Sequence, residues 1–242
     1  FSLFYQPIYQ LKTRALIGME ALVRWTSEDL GSVPPDQFIP IAEESGMILP
    51  ISEWILNEAF TQQNTWHNTG YKTHFLAINL SSKQFLQDDL YKKMMLLAKG
   101  KNILNNIHLE LTETALMVDL IACEEVLSAL KKRGFSLSID DFGTGSSSFL
   151  RLKTLPIDTI KIDRSFITNI DKDKTNAIIV KSILALAHNL NLNVIAEGIE
   201  TKAEYDFLIE HGCEQGQGYY FSKPIPEKEM TALLKKETGT GH

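Results

Sequence analysis

The sequence has few of the features that mark secreted, membrane-spanning or nucleic-acid-binding proteins. Its two cysteines, Cys123 and Cys213, lack CxxC spacing, so we expect reduced cysteines and a cytoplasmic location rather than disulfides. No apolar run approaches the roughly 20 residues of a membrane span, and no signal peptide is recognisable. The net charge of -6 argues against a surface that follows a nucleic-acid backbone. A small phosphate-bearing substrate stays compatible with that charge, because a bound metal reverses the local sign.

The chain contains no internal repeat, low-complexity segment or linker. Its 242 residues, 44% of them hydrophobic, are enough for one large domain or two small ones. We therefore predict a single domain over residues 1–237, followed by a disordered tail or remnant at 238–242. The chain opens on Phe1 within a strand-like run, and we expect it to be one domain of a longer protein.

The order of predicted strands and helices indicates an α/β barrel. Two strands, 1–10 and 15–25, are joined by a link too short for a parallel crossover, so they should be antiparallel. Further strands are predicted at 74–80, 107–111, 135–139, 158–162, 193–196 and 214–219. Helices are predicted at 35–44, 51–67, 90–99, 120–133, 149–154, 176–191, 202–211 and 227–236. About eight strands alternating with helices favour a (β/α)8 barrel, with a doubly wound open sheet as the alternative.

Polar residues recur at or near the carboxyl ends of these strands, inside otherwise apolar runs. They are Glu20, Asn79, Glu110, Glu113, Asp140, Asp141, Lys161, Asp163, Glu197, Glu200 and Gln217. In a barrel these strand ends meet at one face, where active sites lie. Several carboxylates stay ionised together only if cations are present, and one lysine is too little. We therefore expect divalent metal beside Asp140 and Asp141.

The residue types favour a hard metal ion. The six histidines are scattered and form no zinc-like set, whereas Glu, Asp and Asn oxygens suit Mg²⁺ or Mn²⁺. Adjacent aspartates also suit two metal ions that hold both oxygens of an in-line phosphoryl displacement. Taken singly, Glu20 could be a surface acid, Lys161 an ion-pair partner of Asp163, and Glu113 and Glu200 helix N-terminal acids.

Several short motifs around these residues occur together in one protein family. Glu20, Ala21 and Leu22 spell EAL, and the chain also contains YQPI, FIPIAEESG, NLS, ELTE, DDFGTG, IKID, AEGIE and QGYYFSKP in order. Over nearly its whole length the chain resembles the EAL-domain cyclic-di-GMP phosphodiesterases. The resemblance implies a TIM-like barrel with an antiparallel first strand. It also implies hydrolysis of cyclic di-GMP to linear pGpG with Mg²⁺ or Mn²⁺, two ions being expected.

The resemblance further implies partners and residue roles. We expect a homodimer, sensor or regulatory domains in the full-length protein, and no contact of this domain with membrane or nucleic-acid polymer. Implied metal ligands are Glu20, Asn79, Glu110 and Asp140 for one ion and Asp141 for the other. Glu197 is the implied general base, and Lys161 contacts the attacking water. Glu200, Gln217 and Glu113 support the site, the last by anchoring loop 142–148, which links dimerisation to metal binding. Gln6, Leu22 and Arg24 are implied substrate contacts.

Two departures from the family pattern lie outside the ligand set. Ser146 stands where an aromatic residue often follows the second glycine, and GYYF replaces the commoner GYLF. Two other functions compete with hydrolysis of cyclic di-GMP. The domain could be a receptor that binds the dinucleotide without cleaving it, or a metal-dependent barrel hydrolase that acts on a sugar phosphate.

Overall fold

The computed structural model describes residues 1–72, 74–117, 120–145, 152 and 154–239. Its strands are β1 (Ser2–Gln10), β2 (Leu16–Ser27), β3 (Gly31–Val33), β4 (Phe75–Leu80), β5 (Ile107–Thr112), β6 (Ser136–Phe142), β7 (Thr159–Ile162), β8 (Asn193–Ala196), β9 (Gln215–Gly216) and β10 (Ile225–Pro226). Its α-helices are α1 (Pro35–Ser45), α2 (Ile48–Asn68), α3 (Ser82–Phe85), α4 (Leu90–Ala98), α5 (Leu120–Lys132), α6 (Arg164–Ile167), α7 (Lys174–Asn189), α8 (Lys202–Glu210) and α9 (Glu227–Gly239). Short 3₁₀ turns cover Leu104–Asn106 and Ala115–Met117.

Eight strands close into a barrel in the order β1, β9, β8, β7, β6, β5, β4, β2, and β2 pairs with β1 again. β1 is antiparallel to both neighbours, whereas the other strands of the ring run parallel to one another. The predicted barrel with an antiparallel first strand is therefore confirmed, and the open doubly wound sheet is wrong. β3 and β10 add short antiparallel pairings outside the ring, against β2 and β1.

The larger part of the core lies between the barrel and its helices. Trp66, Phe60 and Phe135 are among its largest fully buried side chains. A second, smaller cluster consists of Ile8, Ala77 and Ile195. Side chains alternate between the two faces of a strand, so Ala77 points to the same face as Asn79, and Ile195 to the same face as residue 197. This apolar layer therefore lies directly below the polar strand ends.

Some predicted elements differ from those observed. The predicted strand 214–219 pairs only at Gln215–Gly216, because the chain turns sharply at Gly218 to contact the segment after β8. β6 continues through both aspartates to Phe142 instead of ending at residue 139. Most of the predicted helical stretch 149–154 lies outside the described residues, as do Ser146 and residues 240–242 of the predicted tail. Over the described ranges, none of the helices combines the length and apolar character that crossing a bilayer requires.

We predict that Gly218→Ala destabilises the fold far more than Gly46→Ala. Gly218 has φ 156°, and an added Cβ would lie 2.1 Å from the Ile199 carbonyl oxygen, which is backbone and cannot move aside. Gly46 has φ 78° with open space around the Cβ position, so its substitution costs only left-handed strain, about 1–2 kcal/mol. Urea unfolding should show a loss of about 3 kcal/mol or more for Gly218→Ala. Equal losses for the two variants would contradict the close approach.

A candidate metal centre at the mouth of the barrel

The barrel brings most of the predicted site residues to one end of the ring. Glu20 lies in β2, Asn79 in β4, Glu110 in β5, Asp140 and Asp141 in β6, and Lys161 in β7, while Glu197 and Gln217 follow β8 and β9. The parallel register pairs Asn79 with Glu110 across β4 and β5. The antiparallel register of β1 places Gln6 opposite Glu20. The structure therefore brings the strand ends together at one face, as the sequence predicts.

Lys161 lies at the centre of the acidic residues. Its side chain is fully buried, and its Nζ lies 2.7 Å from Glu197 Oε1, 2.8 Å from Glu110 Oε2 and 3.1 Å from Asp140 Oδ1. Glu20 Oε2 is slightly farther away, at 3.6 Å. Asp163, the ion-pair partner that the sequence left open for Lys161, instead caps α6 by accepting from the Ser165 backbone N–H. The ammonium therefore offsets four carboxylates at once.

Neutral amides hold two of these acids in place. Asn79 Nδ2 donates to Glu20 Oε1 at 2.7 Å, and Gln217 Nε2 donates to Glu20 Oε2 at 2.7 Å. Gln217 Nε2 also donates to Glu197 Oε1 at 3.0 Å. Burial raises the pKa of Glu20, but Lys161 and these two amides outweigh it, so the pKa is lowered. Glu20 is therefore held as an anion by the protein itself.

Two other acids of the cluster, Glu110 and Glu197, tend to hold protons instead. Burial raises the pKa of Glu110 well above its usual value, and the neighbouring carboxylates raise it further. Burial also raises the pKa of Glu197, to about 8, with added repulsion from Asp140 and Glu20. For Lys161 burial acts in the opposite sense, but the surrounding carboxylates prevail and raise its pKa well above normal. Near neutral pH Lys161 is thus charged, whereas Glu110 and Glu197 tend to keep their protons.

A distortion of β6 directs both adjacent aspartates toward the mouth. Alternation along a regular strand would send Asp140 and Asp141 to opposite faces. The pairing of β6 with β7 is irregular between Ile139 and Phe142, and Asp141 has a left-handed φ of 53°. Such irregularities redirect side chains near active sites. As a result, Asp140, Asp141 and Glu197 each offer an oxygen, and these oxygens lie within 4.8 Å of one another.

The donor set fits divalent cations. Glu110 Oε1 is buried and has no hydrogen-bond partner among the described residues, which is costly for a carboxylate oxygen unless a cation occupies the space beside it. The ligand atoms offered by Glu, Asp and Asn are all oxygens, the type that Mg²⁺ and Mn²⁺ prefer. Five ionised carboxylates against one ammonium would leave four negative charges. Two divalent cations carry the matching charge.

Glu113 connects this centre to the loop that follows β6. Its backbone N–H donates to the Asp140 carbonyl oxygen, and its Oε2 accepts from the Gly143 N–H, each at 3.3 Å. Gly145 approaches so closely that an added Cβ would lie 2.6 Å from Glu113 Oε1. Glu113 thus contacts the loop as far as residue 145, residues 146–148 lie outside the described part, and the anchoring of loop 142–148 stays a prediction.

Two cavities lie beside the acids. One, of about 290 Å³, is lined by Gln6, Leu22, Glu20, Asp141, Glu197 and Glu200, among others. The other, of about 360 Å³, is lined by Leu22, Arg24, Asn79, Asp140, Asp141 and an apolar wall from α1 and α2. The three residues expected to contact substrate are therefore beside the acids. Gln6 Nε2 also donates to the Ser222 carbonyl at 3.2 Å, and the Arg24 guanidinium carbon lies 5.7 Å from the Phe4 ring centre.

Several cavity-lining residues were not found from the sequence. Tyr219 lines the smaller cavity and is 56% exposed as a residue, although the sequence places it inside a strand. Ile39, Ile48 and Ile51 line the larger one, and their helical spacing predicts only a buried face. Glu200 lies at the cavity edge but makes no side-chain hydrogen bond to the cluster among the contacts described. The sequence motifs identify residues at strand ends. These cavity-lining residues lie in neighbouring loops and helices, so the motifs do not identify them.

Comparison with known proteins identifies related chains along the whole barrel. A sequence model of the EAL domain family matches residues 1–224. The Bacillus subtilis signaling protein YkoW is 42% identical over 97% of this chain and 29% of that protein. The Pseudomonas aeruginosa bifunctional diguanylate cyclase/cyclic di-GMP phosphodiesterase MucR is 40% identical over 96% of this chain and 34% of that protein. The chain thus spans about a third of the length of these curated relatives.

Solved structures extend the comparison to three dimensions. The PaMucR phosphodiesterase in complex with c-di-GMP superposes with a TM-score of 0.91 at 40% identity, covering 94% of this chain and 93% of that one. At this level of similarity the two chains share the same barrel.

We predict that Lys161→Met strongly destabilises the metal-free protein. The methionine has a similar volume, but four carboxylates would lose their shared cation, and removing one partner of a buried ion pair costs about 3–5 kcal/mol. Urea unfolding in EDTA at pH 7 measures this loss. Lys202→Met is the control, because Lys202 pairs with Asp206 on the exposed surface of α8. It should leave the unfolding midpoint almost unchanged, and a midpoint for Lys161→Met equal to that of Lys202→Met would refute the central role of Lys161.

The raised pKa of Glu197 predicts a pH dependence of stability. Between its unfolded value, about 4.3, and about 8 in the folded protein, the folded state holds the extra proton. Stability of the metal-free protein therefore falls as pH rises through that window. Melting temperatures in EDTA from pH 5 to 8.5 measure the slope. Glu197→Gln, which cannot ionise, should give a shallower slope, and parallel curves for the two proteins would contradict the assignment.

Proposed function

Because the chain belongs to the EAL domain family, we propose that it hydrolyses one phosphodiester bond of cyclic di-GMP, giving linear pGpG, with two Mg²⁺ or Mn²⁺ ions at the barrel mouth. The observation that carries this proposal is a cluster of five carboxylates at the barrel mouth, four of them within 3.6 Å of the buried Lys161 ammonium and the fifth, Asp141, beside Asp140 and Glu197. A binding site for an uncharged ligand would not require this excess of negative charge. The unpartnered buried oxygen of Glu110 adds support.

The metal ligands follow from the oxygens that the cluster offers. Glu20, Asn79, Glu110 and Asp140 would hold one ion, and Asp141, together with Asp140, would hold the second. Bound divalent ions would supply Lewis acidity to the attacking water and to the phosphate.

The chain's own residues would position and deprotonate the water. Glu197 is the proposed general base, since one of its carboxylate oxygens lies within 4.8 Å of oxygens of Asp140 and Asp141, the proposed ligands of the second ion. Lys161 Nζ and Gln217 Nε2 both donate to its Oε1, so Oε2 is the oxygen available to take a proton. Lys161 stays charged beside its carboxylates and would orient water and offset negative charge. Glu200 is proposed to assist from the cavity edge.

The two cavities suggest how a dinucleotide would lie. Placing a phosphate at the acids leaves space on both sides, one side polar and one with an apolar wall. Arg24 suits a phosphate or a guanine edge, and Gln6 and Leu22 would contact the substrate near Glu20. Tyr219 adds an exposed ring on which a base could stack. This arrangement favours an extended dinucleotide over a sugar phosphate, which would leave one cavity unused.

The relatives suggest the context in which the domain works. MucR is named as a bifunctional diguanylate cyclase and cyclic di-GMP phosphodiesterase, and the chain spans about a third of it. We propose that the chain likewise works beside sensor or regulatory domains, on the cytoplasmic side of the cell. We also propose that it forms a homodimer in which the loop held by Glu113 senses dimerisation.

We predict that incubation with cyclic di-GMP and Mn²⁺ yields pGpG, and that EDTA abolishes the product. Glu110→Gln should lower kcat by on the order of a hundredfold or more, because it removes a metal ligand and leaves a buried amide in its place. Glu210→Gln, the same chemical change on the exposed end of α8, is the matched control and should retain full activity. Chromatography measures the product, and isothermal titration calorimetry measures Mn²⁺ affinity.

Two outcomes would decide for the rival functions. Tight binding of cyclic di-GMP with no pGpG under any metal condition would identify a receptor. Equal turnover of sugar phosphates and cyclic di-GMP would identify a general phosphate hydrolase. The larger, partly apolar cavity argues against the second outcome, and the assay for pGpG decides the first.

A further inference from the structure

A buried glutamate outside the acidic cluster joins two of the loops at the barrel mouth. Glu204 lies in the first turn of α8, and its side chain is not among the groups that face the cavities. It is only 4% exposed, yet it has no cationic partner among the contacts described. Both of its carboxylate oxygens instead accept hydrogen bonds from backbone N–H groups.

The donors come from two separate segments. Glu204 Oε2 accepts from the N–H groups of Glu200 and Thr201, each at 2.9 Å, in the loop after β8. Glu204 Oε1 accepts from the Asn169 N–H at 3.0 Å, in the loop that follows β7 and α6. Asn169 has a left-handed φ of 56°, a conformation that a fixed partner helps to maintain. One carboxylate thus ties the two loops together.

The opposite side of the loop after β8 is held by two backbone hydrogen bonds of Ile199, whose side chain is also buried in the core. The Ile199 N–H donates to the Gln217 carbonyl at 3.1 Å, and the Ile199 carbonyl accepts from the Tyr220 N–H at 2.9 Å. At its start, the Glu197 N–H donates to the Ile162 carbonyl at 3.1 Å. The stretch from Glu197 to Thr201 is therefore fixed at its start by β7, on one side by the segment after β9, and at its end by Glu204.

We propose that Glu204 is a positioning residue, which holds the loop bearing Glu197 and Glu200 in register with the loop after β7. Its consequence for turnover rests on the proposed hydrolysis, but its effect on the two loops does not. Glu200 is exposed and has no side-chain bond of its own described, so its direction depends on its backbone. Glu204 supplies the bond to that backbone N–H.

The chemistry requires a carboxylate rather than an amide. An ionised carboxylate accepts at both oxygens, whereas a glutamine side chain accepts at one atom and donates at the other. Burial would raise the pKa of Glu204, but the backbone donors of Glu200, Asn169 and Thr201 prevail and lower it. With Gln, one acceptor can serve Glu200 and Thr201, and the amide group would then face the Asn169 N–H.

A second contact makes it possible to separate positioning from helix capping. The Thr201 hydroxyl accepts from the Glu204 N–H at 3.3 Å, which with Glu204 Oε2 forms a capping box at the start of α8. Thr201→Ala removes the hydroxyl cap and the hydroxyl's own contact with the Glu204 carboxylate, while the three backbone N–H groups that donate to this carboxylate remain. Glu204→Gln retains the cap and breaks the link to Asn169. The two variants therefore remove different functions of one motif.

The first test measures the loops and needs no activity. Hydrogen–deuterium exchange should show faster exchange of peptides covering 165–170 in Glu204→Gln, with little change in α8 itself. Thr201→Ala should show the reverse, with faster exchange at the start of α8 and unchanged protection at 165–170. Unchanged exchange at 165–170 in Glu204→Gln would overturn the proposal.

The second test measures turnover of cyclic di-GMP with saturating Mn²⁺. Glu204→Gln should lower kcat by on the order of tenfold with KM unchanged, because the loop carries the proposed base and not the substrate contacts Leu22 and Arg24. Thr201→Ala should retain kcat even though its melting temperature falls. An equal loss of kcat in both variants would mean that Glu204 acts only through helix stability, and would overturn the positioning role. An inactive wild type would refute the proposed function and leave the exchange experiment to decide for Glu204.

Discussion

The site depends on one buried ammonium. Lys161 is fully buried and lies within 3.6 Å of four carboxylates. Without the ammonium, these buried carboxylates would not stay ionised side by side. Its charge offsets part of the negative charge at the strand ends and is too small to neutralise all of it. The excess negative charge makes the mouth of the barrel a site that could hold divalent cations, with which protons would compete.

The barrel provides the geometry that this charge balance needs. Parallel strands bring their ends to one face, and the antiparallel β1 closes the ring beside Glu20 without a crossover helix. Below the acids, Ile8, Ala77 and Ile195 form an apolar layer that keeps water from screening them from beneath. The irregular end of β6 then brings Asp140 and Asp141 to the same mouth. Two charges adjacent in sequence thus face the same side, and burial together with repulsion from Asp140 raises the pKa of Asp141 there.

Much of this could be predicted from the sequence, and the reason is periodicity. Three local patterns predict the barrel and the acidic residues at its mouth. They are the alternation of strands and helices, the short link after residue 10, and the polar residues that end apolar runs. The bulge in β6 could not be predicted, because the DDF triplet reads as the end of a strand until pairing with β7 is known. Tyr219 was placed in a strand because nothing local shows that Gly218 meets the Ile199 backbone.

The role of Glu204 also depends on a contact between segments that are distant in the sequence. Thr201 and Glu204 have the spacing of a capping box, and that local function is present. Its contact with Asn169 spans 35 residues, and no periodic pattern encodes it. The distinction between a receptor and an enzyme lies at this level, because both would keep acids that bind metal. Under the proposed mechanism, cleavage would in addition require the base to stay in register with the water, and backbone contacts of the loop after β8 would set that register. A chain can therefore keep every acid of the motifs and lose turnover through residues that no motif includes.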